Sequence, residues 1–241
     1  MDALWLAIVQ WLHTIGIHVD GDTARSVAEG TAQITSHVTR HMDMPGLLAL
    51  AAALGWASGV RLYAVVFMVG GMGALGWLAL PEGLQVLAHP AVLITSGFML
   101  CVEFFADKVP WFDSAWDTLH AFIRVPAGAM LAASVFGADN ASMGVVAGLL
   151  GGTLSATALA TKMTTRAVAN TSPEPFSNWG LSLMEDGMSV GAVWLATQYP
   201  VAFGVALVVV LAVSVLLLIV LFKFLRAVLR RLSAFVSPKV A

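Results

Sequence analysis

Long stretches without charged residues dominate the pattern of this 241-residue chain. Residues 201–222 contain no charged side chain, and Lys223, Arg226, Arg230 and Arg231 follow directly after them. A helix of that length spans the roughly 30 Å hydrocarbon core of a bilayer, and basic residues flanking a span favour its cytoplasmic side. The pattern predicts a multi-pass protein of the cytoplasmic (inner) membrane with a cytoplasmic C-terminus.

Other apolar segments predict further helices. Residues 46–80 are too long for one crossing and are interrupted at Gly59-Val60-Arg61, which predicts a short helix at 46–58 and a crossing from Tyr63 to Leu80. Crossings are also predicted at about 84–106, 113–137, 143–168, 178–197 and 200–222. None of these segments shows the period of two that a membrane β-barrel requires. The expected fold is an all-α, polytopic transmembrane helical bundle.

The two ends of the chain differ from this apolar middle. Residues 1–45 mix aromatic and charged positions and predict amphipathic helices at the membrane surface. His37, His41 and Asp43 have a metal-compatible spacing, but an exposed amphipathic face explains them more simply. We therefore divide the chain into an amphipathic segment at 1–45, a transmembrane domain at 46–222 and a basic cytoplasmic tail at 223–241.

Composition supports a membrane protein and argues against nucleic-acid binding. Hydrophobic residues make up 59% of the chain and charged residues 11%, with a mean hydropathy of +0.87. The basic tail is short, which favours contact with lipid rather than with nucleic acid. The lone Cys101 excludes an intrachain disulfide.

A weak repeat emerges when the chain is shifted by 63 residues. Pro110–Trp116 then lies over Pro173–Trp179, and Gly128-Ala129 lies over Gly191-Ala192. We expect two helix-loop-helix units at about 84–137 and 143–197, parallel or inverted, as in many transporters and channels. The residues expected to structure the two loops are Pro110, Ser114, Trp116, Pro173, Ser177 and Trp179.

The few charged residues cluster near the ends of the predicted repeat helices. Spacings of three and four residues place Asp113, Asp117, His120 and Arg124 on one face of a helix. Glu185 and Asp186 lie about two turns inside the last repeat helix. Ionisable groups at such depth usually face a bundle interior or water.

Two interpretations of these residues stay open. In the first they form an ion, proton or substrate pathway, made of Glu103, Asp107, Asp113, Asp117, His120, Glu174, Asn178, Glu185 and Asp186. Five basic residues would balance the charge of this pathway or bind an anion: Arg61, Lys108, Arg124, Lys162 and Arg166. In the second the charges only lock loops and helix ends, with Glu103 pairing with Lys108 or Arg124. No cofactor is identified, the metal question stays open, and a bound cation is compatible with the first interpretation.

Two blocks carry a family resemblance: Glu103–Gly128, and Asn170–Trp179 followed by Glu185-Asp186. With them, residues 46–197 resemble the bacterial family catalogued as domain of unknown function 4126. The resemblance implies a polytopic membrane protein and carries no activity over.

The expected function is a transporter or channel for a small ion or solute, linked to a cation or to protons, with its pathway between the repeats. The alternative is a non-transporting scaffold or accessory subunit that binds a protein partner or a lipid headgroup. A third interpretation, an intramembrane lipid enzyme using Asp117, His120 and Glu174, lacks a nucleophile, so we do not expect an enzyme. Expected partners are the lipid bilayer, the ion or solute and a second copy of the chain packed through Gly- and Ala-rich faces.

Overall fold

The computed structural model describes residues 42–109, 112–137, 140–170 and 175–236, and no strand is found within them. The all-α class is thereby confirmed, while the predicted amphipathic segment lies mostly outside the described residues. The α-helices in order are α1 (Met44–Ala74), α2 (Pro90–Ala106), α3 (Phe112–Ser134), α4 (Ala141–Ala169), α5 (Pro175–Gln198) and α6 (Pro200–Val236), with a 3-10 helix at Glu82–Ala88.

Local sequence signals set where several helices begin. The Asp43 carboxylate accepts a hydrogen bond from the Gly46 amide (3.0 Å), and Pro45 occupies the first turn of α1. The Asn140 side chain accepts one from the Met143 amide (3.4 Å) at the start of α4. Both are N-cap interactions that satisfy amides without a partner inside the helix.

Helix α1 is the central element and packs against the 3-10 helix and the other five α-helices. Arg61 interrupts it with non-helical backbone angles (φ −145°, ψ 77°), which confirms the predicted break at Gly59-Val60-Arg61. The helix then ends at Ala74, six residues before the predicted Leu80. Gly76, which follows the C-cap residue Leu75, adopts a left-handed conformation (φ 72°) that ends the helix.

The segment predicted to cross at about 84–106 contains a sharp bend. The 3-10 helix and α2 meet at an angle of 67°, with the bend at His89 and Pro90. Proline disfavours the helical conformation of the residue before it and has no amide to continue the hydrogen-bond ladder. His89 accordingly adopts an extended conformation, and its ring caps the new helix at Ala91.

Three described helices are long and apolar enough to cross a membrane: α1, α4 and residues Pro200–Phe224 of α6. The bent pair would add a fourth if it forms one span. Helices α3 and α5 were also expected to cross, but buried charged residues lower their mean hydropathy. The expected total of six crossings stays a prediction.

Close approach of backbones joins α1, α3 and α4. A Cβ atom added to Gly55 would lie 2.5 Å from the Gly151 Cα, and one on Gly59 would collide with the Ser155 carbonyl group. A Cβ atom on Gly151 would collide with Ala132 of α3. This close crossing brings the polar positions of the three helices together.

The helix boundaries follow the same 63-residue offset as the sequence repeat. Helices α2 and α4 end at Ala106 and Ala169, and α3 and α5 begin at Phe112 and Pro175. The charges do not follow the offset, since Glu103 in the first unit aligns with Arg166 in the second. The two units therefore share a framework and carry different, complementary charges.

Candidate functional site

The centre of the helix bundle holds nine charged residues, which we call the buried charge cluster. Its cations are Arg61, Arg124, Lys162 and Arg166, and its anions are Glu103, Asp107, Asp117, Glu185 and Asp186. Eight of the nine side chains are buried, and that of Asp186 is 32% exposed. Charged residues are rare in such apolar surroundings unless they are paired. The ion pairs within the cluster therefore determine whether it can accept a further ion.

Arg61, at the break in α1, contacts the end of α2 and helix α5. Its guanidinium lies 2.5 Å from Asp107, which follows α2, and 2.9 Å from Asp186 of α5. It also donates to the hydroxyl of Ser182 (2.6 Å). Arg61 thus has both the non-helical backbone conformation and the ion pairs. A change in these ion pairs would therefore act directly on the break in α1.

Arg124 connects α3 with α2. Its two terminal nitrogens donate to Glu103 Oε1 of α2 and to Asp117 Oδ1 (2.8 Å), two turns earlier on α3. The planar fork of arginine suits two separate carboxylates, because its N–H groups point in fixed directions. The predicted pairing of Glu103 with Arg124 is therefore present.

Lys162 of α4 links the two parts of the cluster. Its ammonium group lies 3.2 Å from Asp117 Oδ1 and 3.4 Å from Glu185 Oε2. It also donates to the Val60 carbonyl (3.2 Å), immediately before the break in α1. This single cation thus contacts a carboxylate from each repeat unit and a backbone group at the break.

Arg166, one turn further along α4, binds Glu185 through two nitrogens at 3.1 and 2.8 Å. It also donates to the Asp107 carbonyl (3.3 Å) and lies 3.4 Å from the Asp107 carboxylate. A bidentate pair of this kind fixes orientation as well as distance. It holds α5 against α4 and against the end of α2.

Four carboxylate oxygens of the cluster are buried without a hydrogen-bond partner among the described residues: Glu103 Oε2, both oxygens of Asp107, and Asp117 Oδ2. Asp107 Oδ2 lies in ion-pair contact with Arg61, which leaves three oxygens with neither kind of contact. Buried acceptors are normally hydrogen-bonded, and exceptions often mark a missing water or ion. The cluster also has one more carboxylate than it has cations. It therefore retains acceptor capacity for a proton, a cation or water.

Two predicted site residues lie outside the cluster. Lys108 donates to the Phe104 carbonyl (3.3 Å), and its ammonium lies over the Phe104 ring. Removal from water, followed by the nearby charge of Arg61, lowers the pKa of Lys108. His120 is buried with its Nδ1 2.9 Å from the Trp116 carbonyl, and its ring stacks on Trp116 at 4.1 Å between centroids.

Several predicted residues fall outside the described part of the chain, either entirely or through their side chains. They are Pro110, Asp113, Ser114, Pro173, Glu174, Ser177 and Asn178. Among the predicted pathway residues that are described, Glu103, Asp107 and Asp117 are almost fully removed from solvent. Trp179 is described and is 48% exposed.

Sequence reasoning missed Ser182 and Ser155. Ser182 lies three and four residues before Glu185 and Asp186, so the helical spacing could have placed it on the same face. Ser155 donates to the Arg124 carbonyl (3.0 Å) from the glycine-rich crossing. No sequence signal marks this second contact, because it joins residues on different helices.

No group of three or more metal-binding side chains suited to an ion is found among the described residues.

Comparison with protein families gives one match. The model of DUF4126, a domain of unknown function, matches residues 48–220. The chain belongs to this family. The matched range contains all nine residues of the buried charge cluster, so the cluster lies within the DUF4126 domain and not in an appendage to it. No curated protein and no solved structure matches the chain.

Proposed function

We propose that this DUF4126 protein moves a small ion across the membrane, linked to protons or another cation, and that the buried charge cluster handles the ion between the two repeat units. The observation that carries the proposal is a cluster of nine charges, eight of them buried, at the junction of five helices. Ionisable groups within membrane segments are costly and usually functional.

The balance of charge supports a cation or a proton rather than an anion. Five carboxylates face four cations, so the fully ionised cluster has one negative charge in excess. One added proton or monovalent cation would neutralise it, and the three unpaired carboxylate oxygens offer sites to receive one. An anion would meet cations that are already engaged by carboxylates.

Asp186 is the best placed point of entry. It is the one partly exposed carboxylate of the cluster and lies 2.9 Å from the Arg61 guanidinium. Protonation would remove its charge and weaken its hold on Arg61, which sits at the break in α1. Binding of a proton or cation at Asp186 would thus change the ion pairing of Arg61. Arg61 lies at the break in α1, so this change could shift α1 relative to α5.

Lys162 gives the proposal a second step. It lies between Asp117 of the first repeat unit and Glu185 of the second, and each carboxylate also binds an arginine. A proton or cation received near Glu185 would compete with Lys162 and shift it toward Asp117. This exchange would connect the two units without requiring a permanently open channel.

A second candidate function is a non-transporting scaffold or accessory subunit. Each of the four cations lies near at least two carboxylates, as a structural lock would require. The lipid-enzyme interpretation gains no support, because Asp117 is engaged by two cations and His120 by Trp116.

Ion flux into liposomes containing the purified protein tests the proposal. Protons, monovalent and divalent cations and common anions are screened, with a Glu185→Gln/Asp186→Asn double variant and a Glu82→Gln control. Glu82 is an exposed carboxylate in the 3-10 helix, outside the cluster. We expect flux of a cation or of protons that the double variant loses and the control retains.

Circular dichroism and size-exclusion chromatography check that the variants remain folded. Absence of flux for every ion in the wild-type protein, or undiminished flux in a folded double variant, would overturn the transport proposal. The first result would favour the scaffold function and direct the next experiment to partner identification.

A further inference from the structure

An apolar groove lies apart from the buried charge cluster, beside helices α5 and α6. It has a volume of about 350 Å³ and is open along one side. Its lining includes Trp56 of α1, Met188, Gly191 and Leu195 of α5, and Phe203 and Leu207 of α6. The size falls within the range of about 300–1,000 Å³ typical of small-molecule sites.

Trp56 gives this groove an unused hydrogen-bond donor. The residue is 6% exposed, and its indole Nε1 is buried without an acceptor among the described residues. A buried tryptophan N–H usually finds a partner. Trp56 borders the groove, so a carbonyl group of a ligand lying there would satisfy this donor if the indole ring turned toward the groove.

The surroundings of the groove indicate what that ligand is. Helix α6 supplies one wall, and in the apolar 18-residue window of its segment Pro200–Phe224 only 6% of the positions are buried among the described residues. Such a surface is covered by lipid in a membrane. A lipid acyl chain would match the apolar walls, and the carbonyl of its ester linkage would provide the missing acceptor.

We propose that this groove binds one acyl chain of a membrane glycerolipid, with an ester carbonyl accepting a hydrogen bond from Trp56 Nε1. The inference does not depend on ion transport. It assigns the groove as a lipid site on the side of α5 that the proposed ion function does not use.

Glycine positions on α5 allow a matched test of occupancy. A Cβ atom on Gly191 or Gly187 would meet no atom within 4 Å, so both positions accept a larger side chain, but only Gly191 lines the groove. The wild-type protein, Gly191→Phe and Gly187→Phe are reconstituted in phosphatidylcholine vesicles containing phosphatidylcholine with a diazirine in one acyl chain. Cross-links are mapped by mass spectrometry and expressed relative to the exposed residues Leu216 and Val220 of α6.

We expect labelling of groove residues above this reference in the wild-type protein and in Gly187→Phe, and a loss to the reference level in Gly191→Phe. Equal relative labelling in all three proteins would overturn the proposal. Cross-links between two copies through the groove peptides, without lipid labelling there, would also overturn it, because a second protomer would then cover this face.

Competition between unlabelled lipids tests the role of Trp56 separately. A diester phosphatidylcholine should displace the probe from the wild-type groove more effectively than its diether analogue, by roughly two- to tenfold for one net hydrogen bond. Trp56→Phe keeps an aromatic ring, removes the donor and should abolish this preference. Equal competition in the wild-type protein, or an unchanged preference in Trp56→Phe, would refute the hydrogen bond.

Discussion

Removal of the Arg124 side-chain charge probes the buried charge cluster most sharply. Arg124 is fully buried and donates to both Glu103 and Asp117. The substitution Arg124→Met keeps an unbranched side chain while leaving two buried carboxylates without their shared guanidinium. Loss of one partner from a buried ion pair typically costs about 3–5 kcal/mol.

The contacts around Arg124 narrow the expected loss of stability. Lys162 still lies 3.2 Å from Asp117 and 3.9 Å from Glu103, so part of the compensating charge remains. We therefore expect a loss at the low end, about 3 kcal/mol. At about 2–4 °C per kcal/mol for a chain of this size, the apparent Tm should fall by roughly 6–12 °C.

Thermal unfolding in detergent, followed by circular dichroism at one scan rate, measures this change. A double-mutant cycle with Glu103→Gln isolates the interaction, and we expect the double variant to lose at least about 1 kcal/mol less than the sum of the single losses. Arg226→Met is the matched control, because Arg226 is an exposed arginine of α6. An unchanged Tm in Arg124→Met, or strict additivity in the cycle, would refute the energetic role of the cluster.

Two further stability predictions use the same thermal assay. Gly55→Ala should destabilise the protein by about 1–3 kcal/mol, because the new Cβ atom collides with Gly151. Gly71→Ala places its Cβ atom more than 4 Å from any atom outside helix α1 and should cause no loss of stability. Equal Tm values for the two variants would refute the close crossing of α1 and α4. Arg61→Lys should lower the Tm although it keeps the charge. Three separate nitrogens of the Arg61 guanidinium contact Asp107, Asp186 and Ser182, and the single ammonium group of a lysine cannot replace all three contacts. A Tm equal to that of the wild-type protein would contradict this prediction.

Sequence patterns predicted the helices well where hydrophobicity alone decides them. The apolar run ending at Phe222 and the break at Arg61 both have local causes, and both appear in the structure. The bend at Pro90 was missed although proline at that position is a local signal, because the flanking apolar residues made the segment resemble one continuous crossing.

The sequence indicated which charged residues form the candidate site, but not which of them pair with one another. Scarcity of charge singled out Glu185 and Asp186, but their partners Arg61 and Arg166 come from other helices, at distances along the chain that no spacing rule covers. Small residues at Gly55 and Gly151 control that meeting of helices. Their role becomes visible only when two backbones are seen in contact.

Ion flux measured with the Asp186→Asn variant tests the central claim most directly, because Asp186 is the partly exposed carboxylate from which loading is proposed to begin. A membrane potential is imposed across liposomes, and internal pH and cation-sensitive dyes report flux for the wild-type protein, Asp186→Asn and Glu82→Gln. We predict cation or proton flux in the wild-type protein and in Glu82→Gln, and background flux in a folded Asp186→Asn variant. Equal flux in Asp186→Asn and the wild-type protein, or no flux in either, would contradict the assignment of the buried charge cluster as an ion-handling site.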